Sequence, residues 1–459
     1  MTPFVPLALF GWIPLVLYLF NRYPSQRAVI VSGITGFLFL PHVFRYPLVQ
    51  GIPPYEKMSA ISYIILLGIV LFDSGRLSSF KPGWMDIPML IWCLCPIASQ
   101  VTNGLSPISP TSAQIINWGV PYFIGRLYFS DLAGLRQLAI GIFAGGLVYV
   151  PLCLLETRIA PTLHLRLYGM HARPDFGQTM RWGGYRPTVF LEHGLAVGMW
   201  MMAAAFLGIV LWKADVIKKV WNYPMNWLVP IVVVTFILVK STGAYLYLVM
   251  GLGAFLVAKW FRTALPLLLL VATISSYLYL GATGTLYTIP QVRTFMAASQ
   301  QAGGDRSQSL AFRMVNEVML SRKARVKAMF GWGDGGGNRI YDATGRDISV
   351  TDSIWIIAYG QNGAVGLASL TAAMLLPSLI FAFFRYPAKL WSNRKVAPAA
   401  GLALIVVMFM WDCSLNAFIS PVYLMANGGL AGLVMKEPET NKVKKLRSSA
   451  PRRTLVQQR

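Results

Sequence analysis

Charge is what this 459-residue chain has least of. Only 12% of its residues are Asp, Glu, Lys or Arg, where a soluble domain carries roughly 25%. Acidic residues are the scarcer kind: 17 Asp and Glu stand against 40 Lys and Arg, a net charge of +23. Cysteine is scarce too. Cys93, Cys95, Cys153 and Cys413 all lie inside apolar runs, so they read as packing residues, which excludes a disulfide framework and a cysteine metal site. The short alternating segments of a membrane β-barrel are absent. No internal repeat is visible, so an inverted-repeat transporter has no support. The first apolar run, Phe4 to Phe20, lacks a basic leader and a small-residue cleavage site, and is read as a retained helix.

What is present is hydrocarbon. The chain is 56% hydrophobic, with mean hydropathy +0.56. Apolar runs fall near 4–20, 28–44, 59–72, 85–101, 114–129, 134–155, 191–212, 227–239, 242–258, 263–281, 353–384, 397–413 and 419–435. A helix of about 20 such residues crosses a hydrocarbon core of roughly 30 Å. The expected fold is therefore all-α: a polytopic transmembrane bundle of about 12–14 spans. Residues 1–435 form the membrane domain. Residues 436–459 form a basic tail with no apolar pattern, read as disordered.

Lysine and arginine in short loops set orientation. The tail carries Lys436, Lys442, Lys444, Lys445, Arg447, Arg452, Arg453 and Arg459, and the 385–396 loop carries Arg385, Lys389, Arg394 and Lys395. Both are assigned to the cytoplasm. Counting back puts Lys259/Arg262, Lys213/Lys218/Lys219, Arg126/Arg136, Arg76/Lys81 and Arg22/Arg27 on that side as well. Two long loops, about 156–190 and 282–352, then lie outside, and both are basic. Long loops translocate largely regardless of charge. Arginine clusters at an outer face suit a diphosphate, because a planar guanidinium grips phosphate with two parallel hydrogen bonds. Ordinary lipid phosphates would suit them as well.

Four stretches carry candidate chemistry. In Arg181–Trp200, RWGGYRPTVFLEHGLAVGMW, Arg186, Glu192 and His193 stand where a loop meets a long apolar helix. His193 is a candidate proton carrier; an interfacial His and Glu solvated by head groups is the plainer reading. In KSTGAYL, Lys240 is a candidate phosphate contact or a snorkelling lysine at a turn. In Ser307–Gly337 an amphipathic helix is expected to lie against the outer surface, with Arg313 and Glu317 sharing a face at i,i+4 and a glycine run following. The last stretch, TDSIWIIAYGQNGAVGL, starts a helix. Thr351 and Asp352 suit its N-cap, and the Asp352 carboxylate would also suit a general base. Trp355 and Tyr359 continue one face, and Gly360 and Gly363 allow close packing.

Taken together, these stretches resemble the O-antigen ligase and O-antigen/exopolysaccharide polymerase superfamily. RPTVFLEHGLA looks like its arginine-led helix start and KSTGAYL like its "SRGA" turn. SLAFRMVNE with MFGWGDGGG is similar to its arginine helix and "G.G" segment. TDSIWIIAYGQNGAVGL resembles its "DN.YL" or "HN.YL" re-entry helix. The matching features run from about Arg181 to Leu367, plus the three closing spans. Members are bacterial inner-membrane glycosyltransferases with a large periplasmic loop. The resemblance implies transfer of a glycan from an undecaprenyl diphosphate carrier to an acceptor hydroxyl on the periplasmic face, in exopolysaccharide or lipopolysaccharide biosynthesis. No cofactor, metal or nucleic acid is implied. Partners would be the lipid-linked glycan, a glycan or lipid acceptor and membrane lipids. Carried over, Arg186 and Arg313 bind diphosphate with Lys240 nearby, Asp352 takes the place of the base, and Glu192, His193, Trp355 and Tyr359 support. The chain departs from the ligases, which carry His where Asp352 stands and Asn where Ser353 stands, and the arginine of the "SRGA" turn is missing. A flippase for the same lipid, without transfer chemistry, is the alternative; it should carry cations in a central cavity.

Overall fold

The computed structural model describes residues 2–172, 179–301 and 305–436. Arg173, Asp175 and the tail beyond Lys436 lie outside the described residues, and so does the reading of that tail. The chain is an all-α polytopic bundle, and every apolar run falls on a helix. The principal helices are α1 (Phe4–Arg22), α2 (Ser25–Phe39), α3 (Lys57–Phe72), α4 (Ile87–Thr102), α5 (Val120–Tyr128), α6 (Leu132–Ile159), α7 (Gly194–Lys213), α8 (Met225–Leu238), α9 (Thr242–Phe261), α10 (Leu265–Thr283), α11 (Asp305–Val326), α12 (Ile354–Ile380), α13 (Ala397–Cys413) and α14 (Pro421–Met435). Among the described residues, seven helices are long and apolar enough to cross a membrane; α3, α8, α13 and α14 are shorter apolar helices. This is a multi-pass membrane protein.

Small residues set how closely the central helices approach. Ala203, Ala204 and Ala205 of α7 are wholly buried. Between α5 and α14 the backbones touch. A methyl on Gly125 would fall 2.0 Å from the Met425 carbonyl oxygen, and one on Gly428 would fall 2.0 Å from that of Tyr122. In a membrane, where lipid removes the hydrophobic drive between helices, such close backbone packing carries association.

The basic residues assigned to inner loops gather at one end. Arg136 and Arg394 both donate to the Val216 carbonyl, Arg385 donates to that of Val434, and Arg126 pairs with Asp86 at 2.7 Å. The candidate residues gather at the other end, one α13 length away. Seventeen residues at about 1.5 Å each make that roughly 25 Å.

The run 353–384 departs from the single straight span expected. At Gly363 the backbone adopts φ 65°, ψ −161°, a region only glycine tolerates. A methyl on Gly366 would lie 2.3 Å from Asn362 Cβ, where residues four apart in a straight helix keep their Cβ atoms about 5–6 Å apart. The chain therefore bends sharply. The backbone groups freed at the bend are paired by the segment after α11: Trp332 N–H donates to Gly360 O, Gly333 N–H to Gln361 O, and Ala364 N–H to Ala328 O. Irregular backbone inside a membrane bundle persists only when it is paired in this way. Gly363 thus serves the bend and also the close approach of the Met329–Phe330 backbone.

Candidate active site

Arg186 sits in the loop before α7 and is 5% exposed. Its side chain lies across Gly194, the first residue of α7, where an added methyl would be 2.7 Å from its Cδ. Its Nη2 donates to Ser241 Oγ at 3.0 Å, while Nε is buried without a partner among the described residues. Burial, then the neighbouring Arg181 charge, pushes the guanidinium down to about 10, against a pull upward from Asp412. It stays charged at neutral pH. A buried guanidinium with a spare donor is suited to an anion.

Ser241 precedes α9, and Tyr247, further along α9, donates to Asp412 Oδ1 at 3.2 Å. Asn416 Nδ2 donates to the same oxygen at 2.7 Å. Asn416 Oδ1 and Leu415 O in turn accept from Arg313 Nη1 at 3.4 and 3.3 Å. Arg313 Nε stands 3.8 Å from Asp352 Oδ2. Side chains from α9, α13, the α13–α14 turn, α11 and the start of α12 are therefore linked in one network at one end of the bundle, and Arg186 of the α6–α7 loop, bonded separately to Ser241, lies within electrostatic range of its Asp412 and Arg313 charges. Arg186 and Asp352 share that end.

Asp352 is not the helix cap. Ser353 occupies the N-cap position of α12 and its side chain makes no capping bond. Asp352 lies one residue earlier and faces Arg313. Arg313 and Glu317 do share a helix face and line one cavity, while the ion-pair partner of Arg313 is Asp352. Glu317 accepts from Tyr277 at 2.7 Å, from Tyr287 at 3.3 Å and from Trp355 Nε1 at 3.3 Å. Arg313, Glu317, Asp352 and Tyr277 line a cavity of about 100 Å³.

The supporting candidates divide. His193 is the N-cap of α7: its Nδ1 accepts from Leu195 N–H at 3.0 Å and its ring stacks on Phe418 of the α13–α14 turn. Glu192 points elsewhere, with His42 at 4.0 Å. Lys240 has φ 56°, and its ammonium abuts Gly184 of the hairpin that leads to Arg186. Trp355 and Tyr359 face α10, and Trp355 belongs to the Glu317 cluster. Glu156, read as the start of a loop, is inside α6. It is wholly buried and accepts from the N–H groups of Leu163, Thr188 and Val189, which ties down the loop before Arg186.

Sequence reasoning missed Asp412, Tyr247 and Asn416 as site residues. The signal was present, because a carboxylate inside an apolar run marks function by default. Only the fold joins that run to Arg186 and Arg313.

Burial pushes the Glu317 carboxyl up, and its three donors pull it back down. A raised folded-state carboxyl pKa costs stability as pH rises above the unfolded value of about 4.3, because the unfolded chain ionises first. The Glu317→Gln chain is therefore expected to lose less thermal stability than wild type over that rise. Melting curves in detergent across acidic pH check this, and parallel curves for the two proteins would remove the linkage.

A scan against protein-family models and a search of curated proteins find no match to this chain.

Proposed function

We propose that this chain is a membrane glycosyltransferase of the O-antigen ligase/polymerase type. It moves a glycan from an undecaprenyl diphosphate carrier to an acceptor hydroxyl at the periplasmic face of a bacterial inner membrane. The observation that carries the reading is that Arg313 and Asp352 are paired at one end of the bundle, in a polar network with Asn416 and Asp412, and that Arg186 lies within electrostatic range of the Asp412 and Arg313 charges. Arg186 and Arg313 hold the diphosphate. The acceptor oxygen bonds to the sugar carbon, the bond from that carbon to the diphosphate oxygen breaks, and the acceptor proton passes to Asp352. The leaving diphosphate takes the bonding electrons, and the two guanidiniums offset its charge.

The resting ion pair bears on order of events. At 3.8 Å, Arg313 and Asp352 are loosely paired. A diphosphate competes for Arg313 and leaves the Asp352 carboxylate free to accept a proton. The base would then be released only when donor is bound.

Purified protein incubated with lipid-diphosphate glycan and acceptor should release free undecaprenyl diphosphate. Arg186→Gln should cost about 1.5–3 kcal/mol of binding, the range for a hydrogen bond to a charged group, seen as a rise in KM for the lipid donor. Arg186→Lys keeps the charge and should recover part of it. Equal KM for all three proteins would remove Arg186 from the diphosphate site. A flippase would instead move intact lipid without releasing carrier diphosphate.

A further inference from the structure

Around the first turn of α12 from the Asp352 cavity lies a second cavity, of about 180 Å³. Asp352, Ser353 and Ile356 line the first, and Ile354 and Ile357 line the second. The α13–α14 turn is divided in the same way, with Leu415 in the first and Ala417 and Ile419 in the second. Two residues separate Asp352 from Ile354, at most about 7 Å of backbone. The two cavities are neighbours.

Three amides line this second cavity: Gln114, Asn117 and Gln361. So do two buried indoles, Trp92 and Trp118, packed edge to face with ring centroids 5.5 Å apart. Asn117 and Trp118 are delivered by a π-helical turn, Ile115–Gly119, that leads into α5. Such turns are rare and are frequent at functional sites. Gly119 lets this one close on α4, because a methyl there would lie 2.9 Å from Cys93 Sγ. Gln114 Nε2 donates to Trp92 O at 3.2 Å, and Gln361 Nε2 donates to Asp334 Oδ1 at 3.0 Å. Asn117 Oδ1 and Trp92 Nε1 are buried without a partner among the described residues. An amide carries two N–H donors and an acceptor oxygen, so hydrogen-bonding capacity remains unspent around the cavity.

None of the lining side chains is charged. The charge joined to the lining, Asp334 through Gln361, is negative and disfavours a phosphate or a carboxylate. A lipid acyl chain would leave the amides dry and unpaired, which is costly. We propose that this cavity holds one uncharged sugar ring, its hydroxyls bonded by the amides of Gln114, Asn117 and Gln361 and its apolar face against the indoles. A sugar hydroxyl both donates and accepts, and so does an amide. Drug-sized ligands fill roughly 300–1,000 Å³, so a cavity of about 180 Å³ suits a single ring. Glycosyl transfer calls for a glycan, but the arginines and Asp352 account only for its diphosphate and its reacting hydroxyl. The role of the cavity rests on that reading: the ring held here belongs to the donor or the acceptor glycan, next to the unit that reacts at Asp352. Binding of the sugar does not depend on it.

The full chain, reconstituted in nanodiscs of zwitterionic lipid, is titrated with the methyl glycosides of glucose, galactose, N-acetylglucosamine and glucuronic acid, and binding is read by saturation-transfer NMR. At least one neutral glycoside should bind wild type at about millimolar strength, and the anionic glucuronide about tenfold more weakly or less. Asn117→Leu keeps the side chain's size and removes its amide. Ala113, which lines the cavity, becomes a plug in Ala113→Leu. Each change should weaken the neutral glycoside about tenfold or more with little change in melting temperature. Asp352→Asn should bind it as wild type does. Absence of neutral-glycoside binding, unchanged binding in both cavity variants, or a preference for the glucuronide overturns the proposal. Loss of binding in Asp352→Asn does so as well, because it moves the sugar to the neighbouring cavity. In turnover, the cavity variants should raise KM for whichever glycan supplies the ring, donor or acceptor, and leave the other level. If the cavity variants lose the sugar while wild type never releases carrier diphosphate, the sugar site stands and the glycosyltransferase reading falls. If release occurs but the cavity variants bind sugar normally, the sugar site falls alone.

Discussion

Replacing Asp352 with asparagine is expected to slow carrier-diphosphate release by about 10²- to 10⁴-fold, the usual contribution of a general base. The exchange is nearly isosteric. Asn can still accept a hydrogen bond from Arg313, so the approach at 3.8 Å has no steric reason to change. Asp352 is also not the cap of α12, since Ser353 holds that position, so helix formation loses nothing. Rate and stability should therefore separate: kcat falls while the melting temperature stays close to wild type. KM for the lipid donor should stay level or fall, because Arg313 no longer has to leave a carboxylate to meet the diphosphate. Unchanged kcat in the asparagine variant would end the base assignment. A matched collapse of kcat and melting temperature would instead make Asp352 structural.

The second large effect is on stability. Gly363→Ala meets two costs at once. The φ 65°, ψ −161° conformation is essentially closed to alanine, a strain of order 1–3 kcal/mol. The added methyl would also fall 2.3 Å from Met329 O and 2.6 Å from Phe330 N, and backbone cannot yield cheaply; overpacking adds about 1–3 kcal/mol. Together these approach about 2–6 kcal/mol, a large share of the roughly 5–15 kcal/mol that holds a typical fold. The effect should also reach the site, because this bend positions α12 and with it Asp352. A lowered melting temperature in detergent, with loss of carrier release, is the expected result. Gly337→Ala serves as a control: its methyl would meet nothing nearer than 3.4 Å, and it should be close to neutral. A Gly363→Ala chain as stable as that control would show that the bend is not required.

Several parts of this protein were open to reading without coordinates. Hydropathy runs mark helices because a chain in lipid must pair its own backbone, and helix is the local way to do so. Each run accordingly falls on a helix, including the weaker ones at 59–72 and 114–129. Arg186, Arg313 and Asp352 were legible because charge at a membrane boundary is costly and so is kept for a reason. Their common end followed from counting spans.

Other features depend on contacts between distant parts of the chain. Asp352 looked like a cap by local rules, yet its partner is Arg313, 39 positions earlier. Glu317 could be placed on the face of Arg313 from spacing alone, but its three aromatic donors come from α10, its following turn and α12. Asp412 joins the site only because α9, α11 and the α13–α14 turn meet there. The bend at Gly363 exists because residues 328–333 supply the hydrogen bonds that the interrupted helix lacks. The sequence by itself determined where helices form and which ends carry charge, since both depend on local burial and solvation. Tertiary structure decided which charge meets which, because an ion pair or a buried hydrogen bond depends on distances that only packing sets.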